Sequence, residues 1–547
     1  MQVILRVMGI LIVLSLLLSS IMGCARSTSY DYDILVKGGL IYDGTLNPPY
    51  KGDVGIKGDK IVAIGNLSGK ASKVLDATGD IVTPGFIDCH NHTDLAWQVF
   101  RKIAFLAPFL PDWKGNYNYT FQGVSTIITG NCGTGYTNTS AWLGTIKSLG
   151  GFGTNVYQLV PYDALKSETI GTDQRPATAQ EFEVIKKRVA EEMQKGAVGF
   201  STGLELAPAV YDTTDELVEV AKIVKKYGGI YTTHLRSESG KKMENGETGV
   251  ITAVKEAIDI GRRSGIPVQI SHIKVNYVFM DPQKIIELIA AAQKEGIDVT
   301  ADQYPYDAGT QRIQILLDNK YLTGEQVKIE FKSPQGRIEL KRGVEDALSV
   351  VRPEAILIVS CDTKKEYEGK NVKQIADIEN RNASDVFIEL ACMDKPPYCV
   401  FFTQDMNIVR QFIKQDWVFT GTDGATLPKS LSGFAGKFHP RFYGTFPKKI
   451  RQFVIDEKLI DLQFAIRSMT SLPAEKFGLK NRGKIAEGYY ADIAVIDIDK
   501  IADKATYENP TEYSIGVVDL IVNGCIEILD GEATGQEGGR SCTKADN

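Results

Sequence analysis

The feature that most restricts this chain is a unit repeated through its middle: a short apolar β-type run, a turn, then an amphipathic helix. Thr213 and Glu216 have the spacing of a capping box. Leu217, Val220, Ala221 and Val224 then fall on one helical face, and Gly228-Gly229 stops the helix before Ile230-Tyr-Thr-Thr-His234. Another helix ends near Ser264-Gly265, and Val268-Gln-Ile-Ser-His272 follows. A helix through Ile286 to Lys294 then stops at Gly296, ahead of Ile297-Asp-Val-Thr-Ala-Asp302. Alternation of this kind predicts parallel strands joined by helical crossovers, and its length suits an α/β fold of the (β/α)8 TIM-like barrel type, with a doubly wound open sheet as the alternative. Between about Ile313 and Gly369 the texture turns polar and less regular, which predicts a small insertion at roughly 313–369.

The flanks differ from the middle. From Tyr32 to Val82, runs such as Asp33-Ile-Leu-Val-Lys and Lys60-Ile-Val-Ala-Ile alternate with Gly, Asn and Asp turns, and Asp492-Ile-Ala-Val-Ile-Asp and Val518-Asp-Leu-Ile-Val-Asn-Gly repeat that texture. One β domain built from residues 30–83 and 481–545, with the barrel at 84–480, is the economical division. Ahead of it, Arg6 precedes an uncharged stretch from Val7 to Met22 that ends in Ile21-Met22-Gly23-Cys24. This reads as a secretory signal over 1–24, an uncleaved transmembrane anchor being the alternative, and either places the body outside the cytoplasm. It resembles a bacterial lipoprotein lipobox, which implies a lipid on Cys24, a membrane attachment and a place in the cell envelope. Ala25 to Ser29 then forms a short polar tether.

A chain of 547 residues buries a large core without disulfides, and its net charge of -6 comes with Lys and Arg scattered along the length. No basic stripe for a phosphate backbone exists, so nucleic acid is excluded in favour of small-molecule chemistry. Setting Cys24 aside leaves Cys89, Cys132, Cys361, Cys392, Cys399, Cys525 and Cys542, an odd and irregularly spaced set that makes a poor disulfide framework.

Five histidines occur, at 90, 92, 234, 272 and 439, and four of them close short β-type runs. His90 and His92 stand two apart, so on a strand they project from one face. His234 and His272 each end a strand, and in a barrel all such ends open on one rim. Asp423, after Trp417-Val-Phe-Thr-Gly-Thr, brings a carboxylate to that rim. Cys132, in Ile127-Ile-Thr-Gly-Asn-Cys-Gly, is either a small buried hydrophobe or a metal thiolate. Imidazole, carboxylate and thiolate together favour zinc over calcium or magnesium, which prefer oxygen shells.

Val82-Thr-Pro-Gly-Phe-Ile-Asp-Cys-His-Asn-His resembles the first-strand signature of the amidohydrolase superfamily, and the flanking β segments resemble its composite β-sandwich. Gly130-Asn-Cys-Gly, Thr233-His-Leu-Arg-Ser-Glu, Ser271-His-Ile-Lys, Tyr304-Pro-Tyr, Gly421-Thr-Asp-Gly and His439-Pro-Arg-Phe-Tyr-Gly-Thr-Phe-Pro resemble the D-aminoacylases, the N-acyl-D-amino-acid deacylases. The resemblance covers nearly the whole chain after the signal. It implies a tightly bound zinc on Cys132, His234 and His272, and a second, weaker site at His90, His92 and Asp423, with Cys132 able to bridge. It implies Asp423 as the catalytic acid and base, and Lys274, Arg441 and either Tyr304 or Tyr306 as the grip on the substrate's α-carboxylate. No lysine stands at a strand end in Gly199-Phe-Ser-Thr-Gly-Leu-Glu-Leu for carboxylation; the role of Glu205 there is open between the metals and a structural place at the rim. After Asp423 the chain departs from the family pattern with Gly424-Ala-Thr-Leu-Pro.

The activity implied is zinc-dependent hydrolysis of the linear amide bond of N-acyl-D-amino acids. The rivals are another amide substrate on the same metals, such as a D-dipeptide, a cyclic amide or an acylated cell-wall fragment, and a non-catalytic binding protein on the same scaffold.

Overall fold

The computed structural model describes residues 30–546, apart from 172, 174, 245, 278–279, 318–323 and 433–435. The signal segment and Cys24 lie outside the described residues. Among those described, no helix is long and apolar enough to cross a membrane.

The chain enters through five strands, β1 (Tyr32–Ile41), β2 (Tyr50–Lys57), β3 (Lys60–Gly65), β4 (Ala71–Asp76) and β5 (Ile81–Pro84). Seven barrel strands follow: β6 (Phe86–Asp88), β7 (Val124–Thr129), β8 (Asn155–Pro161), β9 (Gly199–Gly203), β10 (Ile230–His234), β11 (Val268–Ile270) and β12 (Val299–Gln303). An excursion then builds β13 (Gly309–Arg312), β14 (Ile356–Ser360) and β15 (Tyr398–Phe401), after which β16 (Val418–Thr420) rejoins the barrel. The chain ends in β17 (Ile493–Ile496), β18 (Val517–Val522), β19 (Cys525–Leu529) and β20 (Glu532–Ala533).

The barrel sheet runs β16-β12-β11-β10-β9-β8-β7-β6, in strict sequence order and parallel throughout. That order has no point at which the winding reverses, so the doubly wound alternative is excluded. Every residue of β7, β8 and β9 is buried, as strands covered on both faces require. The helix Thr214–Lys226 illustrates how the outer layer forms. Thr213 caps it reciprocally with Glu216, and Leu217, Val220, Ala221 and Val224 are buried against the strands. Each large side chain on that face contributes about 1.5–3 kcal/mol. Between β6 and β16 no ladder forms. The gap is closed by a parallel bridge between Asn91 and Gly424, with Asp423 N donating to His90 O at 2.8 Å.

The two chain ends make one nine-stranded sheet, β20-β19-β18-β17-β5-β1-β2-β3, with β4 on β1. Its inner residues, among them Ile34, Val54, Ile61, Val82, Ile493 and Ile521, form a core of their own, and Ala494, Val517 and Leu520 pack instead with barrel residues Phe86, Val124 and Val156.

The inserted unit is larger than its polar stretch suggests, running from 309 to 401 rather than over 313–369. The reason is β15, which returns to pair antiparallel with both β13 and β14 and lies between them in the sheet. Helices Gly324–Lys332, Pro334–Val350, Val372–Glu379 and Ala383–Ala391 cover it with a separate core that includes Leu340, Ile356 and Phe387.

Barrel and terminal sheet are joined by a buried polar knot. Arg482 pairs with Asp492 and donates to Asn523 Oδ1 at 3.0 Å; Asn523 N donates to Asp492 at 2.8 Å, and Asn523 Nδ2 to Asn155 of β8 at 2.7 Å. Removing one partner strands a buried charge. Arg482→Ala is expected to lower stability by about 3–5 kcal/mol, read as a shift of the urea unfolding midpoint.

Candidate metal centre

Six donor residues stand at or just beyond strand ends on one barrel rim: His90 and His92 after β6, Cys132 after β7, His234 closing β10, His272 after β11 and Asp423 after β16. Cys132 Sγ lies 3.3 Å from His90 Nε2 and 3.4 Å from His272 Nε2, and His272 Nε2 lies 3.1 Å from His234 Nδ1. His92 Nε2 is 3.1 Å and His90 Nε2 3.7 Å from Asp423 Oδ1. Donors set tetrahedrally around zinc at roughly 2.0–2.3 Å lie roughly 3.3–3.8 Å from one another. Two triads share His90, namely His90, Cys132 and His272, and His90, His92 and Asp423; within each, the donor atoms lie within 4.8 Å of one another. The structure therefore brings all six residues together.

The backbone under three of them is unusual. Cys132, His272 and Asp423 have φ of 51°, 36° and 46°, a left-handed region that non-glycine residues enter at a cost of about 1–3 kcal/mol. Tertiary contacts hold each one. His272 N donates to Asp302 at 2.9 Å, Asp423 N is bonded to His90 O, and the neighbouring Gly133 N donates to Ser201 Oγ at 2.9 Å. Gly421 is also required, because a Cβ there would lie 2.8 Å from His90 Cβ and 3.0 Å from Asp302 Oδ1.

Carboxylates stand against three of the imidazoles. Asp302 Oδ1 is 3.0 Å from His90 Nδ1, and Gln269 Nε2 donates to Asp302 Oδ2 at 2.7 Å; Glu205 Oε2 is 3.0 Å from His234 Nε2; Glu238 Oε1 is 3.0 Å from His272 Nδ1 and 2.8 Å from Lys274 Nζ. Such contacts orient a ligating ring and raise its basicity. Glu205, open between two roles in the sequence, thus faces the nitrogen of His234 opposite the one beside His272. Asp302 and Glu238 carry no role in the sequence reading, although Asp302 closes a strand as the histidines do and Glu238 ends the Thr233-His-Leu-Arg-Ser-Glu motif. A third donor group, His234, Glu238 and His272, arises from this packing.

Burial opposes ionisation of Cys132, but His90 and His272 outweigh it and hold the thiol well below its ordinary range. The same contest at Asp423 is won by Arg441 and the imidazoles, which keep its carboxyl ionised against burial. The pocket is thus poised to hold a thiolate and a carboxylate around a cation.

Arg441 is buried, with Nη2 2.9 Å from Asp423 Oδ2 and Nε donating to Asp423 O at 2.8 Å; its Nη1 has no hydrogen-bond partner among the described residues. Its guanidinium carbon lies 4.6 Å from the ring centroid of Tyr304, and Lys274 Nζ 5.7 Å. Of the two tyrosines, Tyr304 lines the cavity over the donors, a space of about 400 Å³, whereas Tyr306 does not; its ring stands edge-on to His439. His439 accepts from Arg441 N at 3.0 Å through Nδ1 and bonds Ala308 O through Nε2, so it fixes the loop that carries Arg441.

Known proteins resemble this arrangement. The sequence profile of the amidohydrolase family matches residues 81–526. The D-aminoacylase of Alcaligenes xylosoxydans xylosoxydans is 31% identical over 541 residues, covering 94% of this chain and 98% of its own. The N-acyl-D-glutamate deacylase of the same organism is 30% identical, with 90% and 93% covered. The solved N-acyl-D-glutamate deacylase of Bordetella bronchiseptica, complexed with zinc and a phosphonate mimic of the reaction's tetrahedral intermediate, superposes with a TM-score of 0.76 at 26% identity, covering 93% of this chain and 99% of its own.

Asp302 offers a test of the centre. Asp302→Ala releases the His90 ring and is expected to weaken zinc binding by about 10–100-fold, measured by competition with a chromophoric chelator.

Proposed function

The chain belongs to the amidohydrolase family, and from that premise we propose that it hydrolyses the amide bond of N-acyl-D-amino acids, giving a carboxylate and a free D-amino acid. The observation that carries this reading is the meeting of Cys132 with His90 and His272 at the barrel rim, beside an ionised Asp423.

The donor chemistry of thiolate, imidazole and carboxylate fits zinc. Cys132, His234 and His272 would hold the tighter ion, and His90, His92 and Asp423 would surround a second, weaker position. When bound, zinc supplies hydroxide at neutral pH and polarises the scissile carbonyl. Asp423 accepts the proton of the attacking water and passes it to the leaving nitrogen, without which an amine leaves an amide very poorly. The new C–O bond forms first at the acyl carbon, and the C–N bond then breaks as its nitrogen takes the proton. His92 and Arg441, at 3.1 and 2.9 Å from its two oxygens, aim the Asp423 carboxylate. The open Nη1 of Arg441, with Lys274 and Tyr304 nearby, supplies the grip on the substrate's α-carboxylate, for which a guanidinium fork is suited. Tyr306, away from the cavity, belongs to the packing around His439.

Asp423→Asn is expected to lower kcat on N-acetyl-D-amino acids by about 10²–10⁴-fold with zinc retained at the tighter position, measured by steady-state kinetics beside metal analysis. The unaltered protein is expected to discriminate against the L enantiomers. Activity confined to a hydantoin would sink this reading.

The lipobox-like Ile21-Met22-Gly23-Cys24 supports an exported protein held at the cell envelope by a lipid on Cys24. Palmitate incorporation is expected in the bacterial host and is expected to vanish in Cys24→Ser, with the protein moving from the membrane to the soluble fraction. Incorporation that persists in that variant would reject Cys24 as the attachment point.

A further inference from the structure

The cavity over the donors has two chemically different sides. Its charged lining residues, Glu205, Glu238, Lys274, Asp423 and Arg441, all sit against or among the metal donors, and each is engaged there: Glu205 with His234, Glu238 with Lys274, and Asp423 with Arg441. The other side is apolar. Helix Thr93–Val99 leaves directly from His92 and turns Leu95, Ala96 and Val99 to the cavity, followed by Phe100. Phe438 and Phe442, stacked with centroids 5.8 Å apart, also line it, and Phe100, Leu427, Phe438 and Phe442 form one packed cluster.

Val99 lines the cavity and is also 69% exposed. Beyond it the backbone folds back on itself, Ile103 N donating to Phe100 O at 2.8 Å and Leu106 N to Ile103 O at 2.9 Å, and this turn leaves Phe105 69% and Phe109 77% exposed.

We propose that this wall and its rim are a subsite for a long, unbranched acyl chain, so that the preferred substrates are fatty N-acyl-D-amino acids; the inference rests on the deacylase reading above. A substrate's carboxylate is drawn to the Lys274 and Arg441 side, and its side chain branches from the adjacent carbon and stays close to it. The acyl carbon has to lie over the donors, and the group attached to it points away from the carboxylate. Because helix Thr93–Val99 starts next to His92 and turns Leu95, Ala96 and Val99 to the cavity, an apolar surface adjoins the donors. An amphiphile matches this progression from charged to apolar. Hydrolysis still forms one C–O bond, breaks one C–N bond and sends a water proton to the amine, releasing a fatty acid and a D-amino acid.

The test compares kcat/KM for N-acetyl-, N-hexanoyl- and N-decanoyl-D-leucine with the zinc-loaded full chain, below micelle-forming concentrations. About a two- to fourfold gain per methylene is expected. In Val99→Ser, at a position that lines the cavity and is exposed, the decanoyl-to-acetyl ratio is expected to fall about tenfold or more. Equal kcat/KM across the series would overturn the subsite while leaving the deacylase reading intact, and failure of all three substrates would remove that reading itself. A ratio unmoved by Val99→Ser would likewise overturn the proposal.

Discussion

The contact on which the rest of this molecule depends is that of the Cys132 sulfur with two imidazoles. A buried thiol ordinarily resists ionisation, and burial does oppose it here. His90 and His272, at 3.3 and 3.4 Å, reverse that balance. The resulting anion needs a fixed seat, which explains why Cys132 and His272 are held in backbone conformations that free residues avoid. Asp302 serves both ends of this arrangement, since one carboxylate binds the His90 ring and the amide of His272. The strain and its compensation therefore lie within one connected set of side chains.

Around that anion the charges are arranged in pairs. Glu238 and Lys274 sit against His272, and Asp423 and Arg441 against His90 and His92. Lone charges at such depth would cost several kcal/mol each, whereas paired ones remain ionised and directional. The pairing also leaves Arg441 with one donor still unsatisfied, the kind of residual demand that an incoming anion fills. Fold and chemistry are thus linked through desolvation, because the barrel that buries the centre makes each of these contacts stronger.

Much of this was legible in the residues. The barrel followed from helix and strand periodicity, and the donors from histidines placed where strands stop. A thiolate at Cys132 stayed one of two readings until the family resemblance was taken into account. Asp302 escaped notice because a carboxylate at a strand end carries no distinguishing neighbour in sequence; only the fold reveals that its partner is His90, 212 positions away. Glu238 escaped for a related reason, since its contacts, His272 and Lys274, come from the next strand over. The choice between Tyr304 and Tyr306 required the loop's actual path, which turns one ring to the cavity and the other to His439. The extent of the insertion is not legible in the residues because Tyr398-Cys-Val-Phe finds its partners only through long-range antiparallel pairing.

The unladdered joint between β6 and β16 has a mechanical consequence. Neighbouring barrel strands elsewhere are bound by continuous backbone pairing, whereas here a single bridge and a few amide contacts span the gap among the described residues. His90 and His92 belong to one lip of that gap and Asp423 to the other, so an ion held between them would be a rivet through the staves. An ion there would tie the tightness of the whole cylinder to the supply of a divalent ion, and would make resistance to unfolding a function of how much of that ion is available.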